Sequence, residues 1–307
     1  DLDVVLFGPA VGEASAMFDL YWNSAAAVPL AGLSRAPEGV FEDIADAIKT
    51  EAQSAEAQRY LQRVAASPKV QDYAGKRLEP FWSDRIHLVA DPPLKWEEDS
   101  RDQWLVHRIE RDLSSAKDKV LLISPYFVPG PEVTKGMTAL VDKGVTVGIV
   151  TNSLAANDVA AVYGAYRPYR DQLLRGDVHV YELRAQGHPH SSLFGSSGAS
   201  LHTKAYSVDD ARGFIGSFNL DARSAYLNTE MGVMFDDPLL AKAVRDEYLR
   251  LSGPELSYWM HLDKNGKPRW LDRAARPPSM VSTEPDTGTW QRASATVISW
   301  LPLESQL

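Results

Sequence analysis

The run Leu201-His202-Thr203-Lys204-Ala205-Tyr206-Ser207-Val208 sets an imidazole two residues from an ammonium within a stretch of strand-forming residues. Successive side chains of a strand alternate between its faces, so His202 and Lys204 share one face about 7 Å apart. An imidazole attacks phosphorus or moves a proton near neutral pH, and an ammonium beside it holds non-bridging phosphate oxygens. Those are the two groups that metal-free exchange at a phosphodiester needs most. Asp209 completes the pattern His-x-Lys-x4-Asp. By itself that pattern arises by chance in on the order of a few per cent of chains this long, so its neighbours carry the weight.

Those neighbours are chemically apt. Phe214-Ile215-Gly216-Ser217-Phe218-Asn219 ends a second short strand in a turn where the Ser217 hydroxyl, the Asn219 amide and backbone N–H groups can meet phosphate oxygens. Glu230, in Asn228-Thr229-Glu230, opens a third strand and can orient His202 through its second ring nitrogen, as a carboxylate orients a catalytic imidazole. His179, His188 and His190 have no carboxylate at ligand spacing, so no metal is expected. Gly195-Ser196-Ser197-Gly198 lacks the Gly-Lys-Ser/Thr ending of a nucleotide loop, and no ATP or other cofactor is expected.

The elements that must position these residues follow from periodicity. Short apolar runs at 85–90, 119–124, 145–150 and 178–183 alternate with amphipathic segments near 101–117, 132–143 and 155–174. The order βαβαβ implies a largely parallel sheet with helices on its faces. Three further strands at 201–208, 212–216 and 230–235 carry the motif, and a helix over 238–251 and a hairpin turning at Lys264-Asn265-Gly266 close the fold. Tyr126 and Asn152 follow predicted parallel strands, whose carboxyl ends are where ligands bind, and are candidates for the substrate rim. Upstream, residues 1–8 read as a strand already under way and 11–24 as a helix, so we expect sequence before Asp1. Residues 25–84 read as a helical linker region, 85–275 as the catalytic domain and 276–307, rich in Pro, Ser and Thr, as an extended tail.

With 32 Lys+Arg against 41 Asp+Glu, the net charge of −9 gives the whole molecule no long-range attraction for nucleic acid, so a nucleic-acid partner is not expected. The absence of cysteine excludes disulfides and leaves the compartment open. No apolar run approaches the roughly 18 to 20 residues of a spanning helix, so membrane contact is expected to be peripheral. Late aromatic residues, Trp259, Trp270, Trp290 and Trp300 with Tyr258 and Met260, are candidates to dip into a lipid interface.

The set His202, Lys204, Asp209, Gly216, Ser217, Asn219 and Glu230 resembles the second catalytic motif of the phospholipase D superfamily. Within it, residues 18–24, 124–130, 151–160, 193–200 and 218–224 are similar to bacterial cardiolipin synthases of the C type. The resemblance implies a phospholipase D-like α-β-α sandwich with a mixed, largely parallel central sheet. It implies that His202 is a catalytic imidazole, that Lys204 and Asn219 bind phosphate, that Ser217 assists, and that Glu230 positions His202, with Asp209 structural. Such enzymes use two motifs, one His attacking phosphorus and the other protonating the leaving oxygen. This chain holds one, and residues 1–24 resemble the closing elements of a preceding half. His202 is then expected to be the acid, and the partners are a phospholipid substrate with either the missing N-terminal half or a second copy of the chain. The expected location is the periphery of the bacterial inner membrane. Hydrolysis by a phospholipase D, a paired single-motif phosphodiesterase or nuclease, and a silent half that binds a partner or lipid are the alternatives.

Overall fold

The computed structural model describes residues 2–33, 37, 39–77, 82–95, 98–157, 159–185, 191–192, 195–196 and 201–300. They form two compact units, Asp1–Ser24 with Arg85–Leu307, and Ala25–Asp84. Gly8, at a φ of 70°, turns the chain into helix α1 (Pro9–Trp22), where Pro9 falls in the first turn and its missing N–H costs no helical bond. Residues 2–7, expected as a strand, alternate half-buried and exposed but join no ladder among the described residues. The second unit holds α2 (Leu30–Leu33), α3 (Val40–Ala52), α4 (Ala55–Ala66) and α5 (Pro68–Ala74). Ser54 caps α4 by accepting the Ala57 N–H at 3.1 Å.

The remainder runs β1 (Ile86–Ala90), α6 (Leu105–Ser114), β2 (Lys119–Ile123), α7 (Gly130–Asp142), β3 (Thr146–Asn152), α8 (Ala160–Arg175) and β4 (His179–Leu183). A ribbon of β5 (Ser191–Ser192) and β6 (Gly195–Ser196) precedes β7 (Lys204–Val208), β8 (Arg212–Gly216), α9 (Ala222–Tyr226), β9 (Met231–Phe235) and α10 (Pro238–Leu251). The chain closes with β10 (Ser257–Leu262), β11 (Pro268–Asp272), β12 (Ser279–Val281) and α11 (Thr289–Ile298).

Ten strands form one mixed sheet in the order β1-β9-β8-β7-β2-β3-β4-β10-β11-β12. The sheet is mostly antiparallel, which corrects the expectation of a largely parallel one: only β2–β3 and β3–β4 pair in parallel. Connection length is the reason. The crossovers through α7 and α8 are long enough to return the chain in the same direction, whereas the turn at Asp209–Ala211 only allows β8 to run back beside β7. The α/β sandwich itself is present. Val120 and Leu122 of β2 face one core with Leu105, Ile109 and Leu173, while Leu121 and Ile123 face another with Tyr248 and Leu251 of α10. Both faces of the central strands are thus buried, as their near-continuous apolar sequence requires.

The segment expected to trail as a tail instead adds the edge strand β12 and the helix α11, which packs on α8. Ala295 is fully buried there, Arg167 donates to Thr296 Oγ1 at 2.7 Å, and Gly164 leaves room for Ile298. A ten-residue helix is marginal on its own, so it is this contact and not local propensity that forms it. Of the late candidates for a lipid interface, Tyr258, Met260 and Trp270 are core, whereas Trp290 and Trp300 are exposed. No helix among the described residues is long and apolar enough to cross a membrane.

Two buried or tethered carboxylates give the fold opposite pH dependences. Asp209, at a φ of 54°, accepts the N–H groups of Lys117, Asp118 and Lys119 at 2.8–3.2 Å and so binds the β7–β8 turn to the start of β2. Burial alone would raise its carboxyl, but those N–H groups outweigh it and hold the group below the ordinary aspartate range. Its stabilisation is present above the unfolded value and lost as pH falls through the folded one. Glu182, fully buried, accepts Trp270 Nε1–H at 2.7 Å, with the Arg170 guanidinium 3.9 Å away. Burial pushes its carboxyl up to about 7 from 4.5, so the stability it confers is lost as pH rises across that interval. Asp209→Ala should lower stability by about 2 kcal/mol in denaturant titration, from the left-handed backbone and three abandoned N–H groups. Glu182→Gln should remove a decline in stability between about pH 4.5 and 7 that the parent shows; parallel profiles for the two proteins would contradict the assignment.

Candidate active site

The motif residues other than Asp209 gather at one end of the sheet, at the carboxyl ends of β2, β3 and β8 and the amino ends of β7 and β9. The register places Lys204 opposite Gly216 and Gly216 opposite Gly232, while Ile123 lies opposite Ala205. Glycine is required at 216, because a Cβ there would collide with the Met231 carbonyl and the Phe214 ring. The strand begins at Lys204, so His202 stands in the chain leading into it and is exposed, while Thr203 and Lys204 are buried. The shared strand face expected for the pair is therefore replaced by a different link: the Lys204 ammonium donates to the His202 carbonyl at 2.8 Å. The same ammonium lies 5.9 Å from the centroid of the Tyr126 ring, which places Tyr126 beside it.

Loops after β2 and β8 are stapled together beneath this end. Phe127 and Leu220 form a parallel bridge, Val128 N–H donates to Leu220 O at 2.7 Å, and the Ser124 hydroxyl accepts the Leu220 N–H at 3.2 Å. Asn219 is held by its main chain, whose N–H donates to Ser224 Oγ at 3.3 Å, while its buried side-chain Oδ1 has no hydrogen-bond partner. An amide oxygen only accepts, so the group that can meet a phosphate oxygen at this position is the Asn219 Nδ2 amide, a donor.

Glu230 is only 6% exposed, and its carboxylate is caged. The Ser217 hydroxyl donates to Oε2 at 2.5 Å, and the Ser224 hydroxyl and Asn228 Nδ2 donate to Oε1 at 2.9 and 3.1 Å. Ser217 also accepts the Met231 N–H at 3.0 Å, so in this arrangement its hydroxyl holds the carboxylate. Asn152, expected at the substrate rim, is 1% exposed and lies behind the site: its amide accepts the Leu201 N–H at 3.1 Å and donates to the Leu201 carbonyl at 3.2 Å. It fixes the main chain immediately before His202. Asp209 sits past the far end of β7, about 17 Å of strand from Lys204, where it serves the turn described above.

Several side chains that the sequence gave no reason to single out surround this cage. Fully buried Asp91 accepts the Glu230 N–H at 2.9 Å and the Leu105 N–H at 2.8 Å, and fully buried Lys95 donates to Asp91 at 2.8 Å. They lie more than a hundred residues from the motif, and only the spacing Asp91-x3-Lys95 hinted at a pair. No cluster of three or more potential metal ligands occurs among the described residues, and His188 and His190 lie outside them.

A family model described as cardiolipin synthase, phospholipase D-like domain, matches residues 109–252. Cardiolipin synthase C of Escherichia coli is 36% identical over 310 residues, covering 99% of this chain and 65% of that protein. Cardiolipin synthase A of Klebsiella pneumoniae is 30% identical over 171 residues, covering 54% of this chain and 31% of that protein. The chain thus spans less than two thirds of the length of these relatives. The fold of the phosphatidylserine synthase of Haemophilus influenzae matches with a TM-score of 0.52 at 14% identity, covering 96% of this chain and 61% of that one. Motif and matched domain agree, and the chain belongs to the phospholipase D superfamily, with a cardiolipin synthase-type phospholipase D-like domain over residues 109–252.

Proposed function

We propose that this site carries out phosphatidyl transfer between phospholipids, in the manner of a cardiolipin synthase, through a phosphohistidine. One observation carries the reading: beside exposed His202, a buried ammonium, a buried amide and a caged carboxylate meet at one end of the sheet. Lys204 and Asn219 hold the phosphate oxygens, and charge that grows on them during transfer is met by the ammonium in a poorly solvated setting. Glu230 fixes the local frame in which His202 works.

One imidazole serves only half of the exchange. A histidine of a second motif, supplied by a preceding half or by a second copy of this chain, attacks phosphorus and forms the N–P bond. As the P–O bond of the donor breaks, His202 gives its proton to the leaving alcohol oxygen. His202 then takes the proton of the incoming hydroxyl, whose oxygen forms the new P–O bond as the N–P bond breaks. A phospholipid glycerol hydroxyl as acceptor yields cardiolipin, and water yields phosphatidic acid. The net charge of −9 disfavours the nuclease alternative. Action at the membrane surface, from the periphery, follows from the substrate.

The test is incubation with vesicles containing phosphatidylglycerol and mass-spectrometric detection of the products, for the chain alone and joined to a half that carries a second motif. Cardiolipin is expected; phosphatidic acid alone would make the protein a hydrolase, and neither product in either form would refute the reading. In the active form, His202→Asn should lower the rate by about 10²–10⁴-fold, the range of general acid–base catalysis. Asn219→Ala should cost about 10²-fold, as loss of a donor to a developing oxyanion does. In the form joined to a half that carries a second motif, acid-free trapping of the intermediate should place the phosphoryl group on that half's histidine; finding it on His202 reverses the two roles.

A further inference from the structure

The buried pair beneath the carboxylate cage has no part in the chemistry so far. Lys95 and Asp91 are both fully buried, their ammonium and carboxylate 2.8 Å apart, with the Trp104 ring 5.5 Å from the ammonium. Taking two charges out of water is costly, and a buried ion pair is a poor means of stabilising a fold compared with apolar residues of the same size. Its hydrogen bonds show what it holds. Lys95 uses all three donors, on Asp91 Oδ2, on the Ser224 carbonyl at 2.8 Å and on the Asn228 carbonyl at 2.7 Å. Ser224 and Asn228 are the two residues whose side chains hold Oε1 of Glu230. Asp91 takes the Glu230 N–H on its carboxylate and donates its own N–H to the Glu230 carbonyl at 2.8 Å.

We infer that Asp91 and Lys95 are positioning residues for the transfer reaction: through the main chain of Glu230 and through Ser224 and Asn228 they set the place and direction of the Glu230 carboxylate. The inference rests on the phosphatidyl-transfer reading of the site. Side-chain and main-chain restraints on Glu230 converge on this one pair, so that removing the ammonium releases two of the three cage donors at once. Asp91 also receives the Leu105 N–H and, on its carbonyl, the Tyr21 hydroxyl at 2.7 Å. Helices α1 and α6 are thereby tied to the point that orients the site.

A double-mutant cycle separates positioning from general stability. In the transfer-competent form of the protein, at a temperature where circular dichroism shows it folded, Lys95→Met should lower kcat about 10-fold with KM changed less than about 2-fold. In a Glu230→Gln background the same substitution should cost less than about 2-fold, because the group it positions is already altered. Equal losses in both backgrounds, or no loss in the first, would overturn the inference. Should Lys95→Met fail to fold, Asp91→Asn, which keeps the side chain's size, runs the same cycle. A readout independent of turnover is amide hydrogen exchange over residues 224–231: exchange about 10-fold faster in the variant, with global stability matched by temperature, supports the inference, and unchanged exchange overturns it. Retention of transfer by His202→Asn would instead defeat the parent reading.

Discussion

Polar groups withdrawn from water at one end of the sheet must each be held by hydrogen bonds, and this requirement shapes the structure around them. Lys204, Asn219, Glu230, Asp91 and Lys95 are all nearly or fully buried within a few residues of strand ends. An ammonium, an amide and carboxylates cannot sit there unless their donors and acceptors are matched, because an unpaired buried polar group costs on the order of 1–3 kcal/mol and a charge more. The cage on Glu230, the tie from Lys204 to the His202 carbonyl and the clasp of Asn152 on Leu201 are the consequences. Asn219 Oδ1 is the exception, buried with no hydrogen-bond partner.

The sheet supplies the rigidity that such matching needs. Antiparallel neighbours β7, β8 and β9 are joined by a tight turn and a short helical loop, so small changes in register would separate Lys204 from Ser217 and Glu230. The glycines at 216 and 232 lie opposite one another, and neither tolerates a Cβ. Asp209 fastens the far end of the hairpin to β2, and α10 covers the face opposite the main core. The site is thus held on strand ends and not on free loops, apart from His202, which leads into its strand.

What the sequence revealed was local. The grouping of Lys204 with Ser217, Asn219 and Glu230 was readable because three short strands in direct succession bring those residues together whatever the rest of the chain does. The crossovers through α7 and α8 were readable from periodicity for the same reason. Pairings across long separations were not: β1 with β9 and β10 with β4 make the sheet mostly antiparallel, and no local pattern announces them. His202 was assigned to the strand because its residue type and spacing fit, yet the ladder begins two residues later. Asn152 reads as a rim residue at a strand end, and only its bonds to Leu201 reveal that it faces inward. The helix α11 is formed by packing on α8 in a stretch whose Pro, Ser and Thr content suggests none. Beyond their own i,i+4 spacing, nothing local marks Asp91 and Lys95, since the site residues they hold lie more than a hundred residues away.

Oxyanion binding by the protein addresses the central claim most directly, because it needs no turnover and no second motif. Tungstate, a tetrahedral dianion that stands in for the phosphate, should bind saturably to one site per chain in isothermal titration calorimetry. Affinity should fall at least about 10-fold in Lys204→Met and in Asn219→Ala, and remain within about 2-fold in Asp209→Ala, whose carboxylate lies at the other end of the strand. Binding that is indifferent to Lys204 and Asn219, or that is lost through Asp209, would contradict the account.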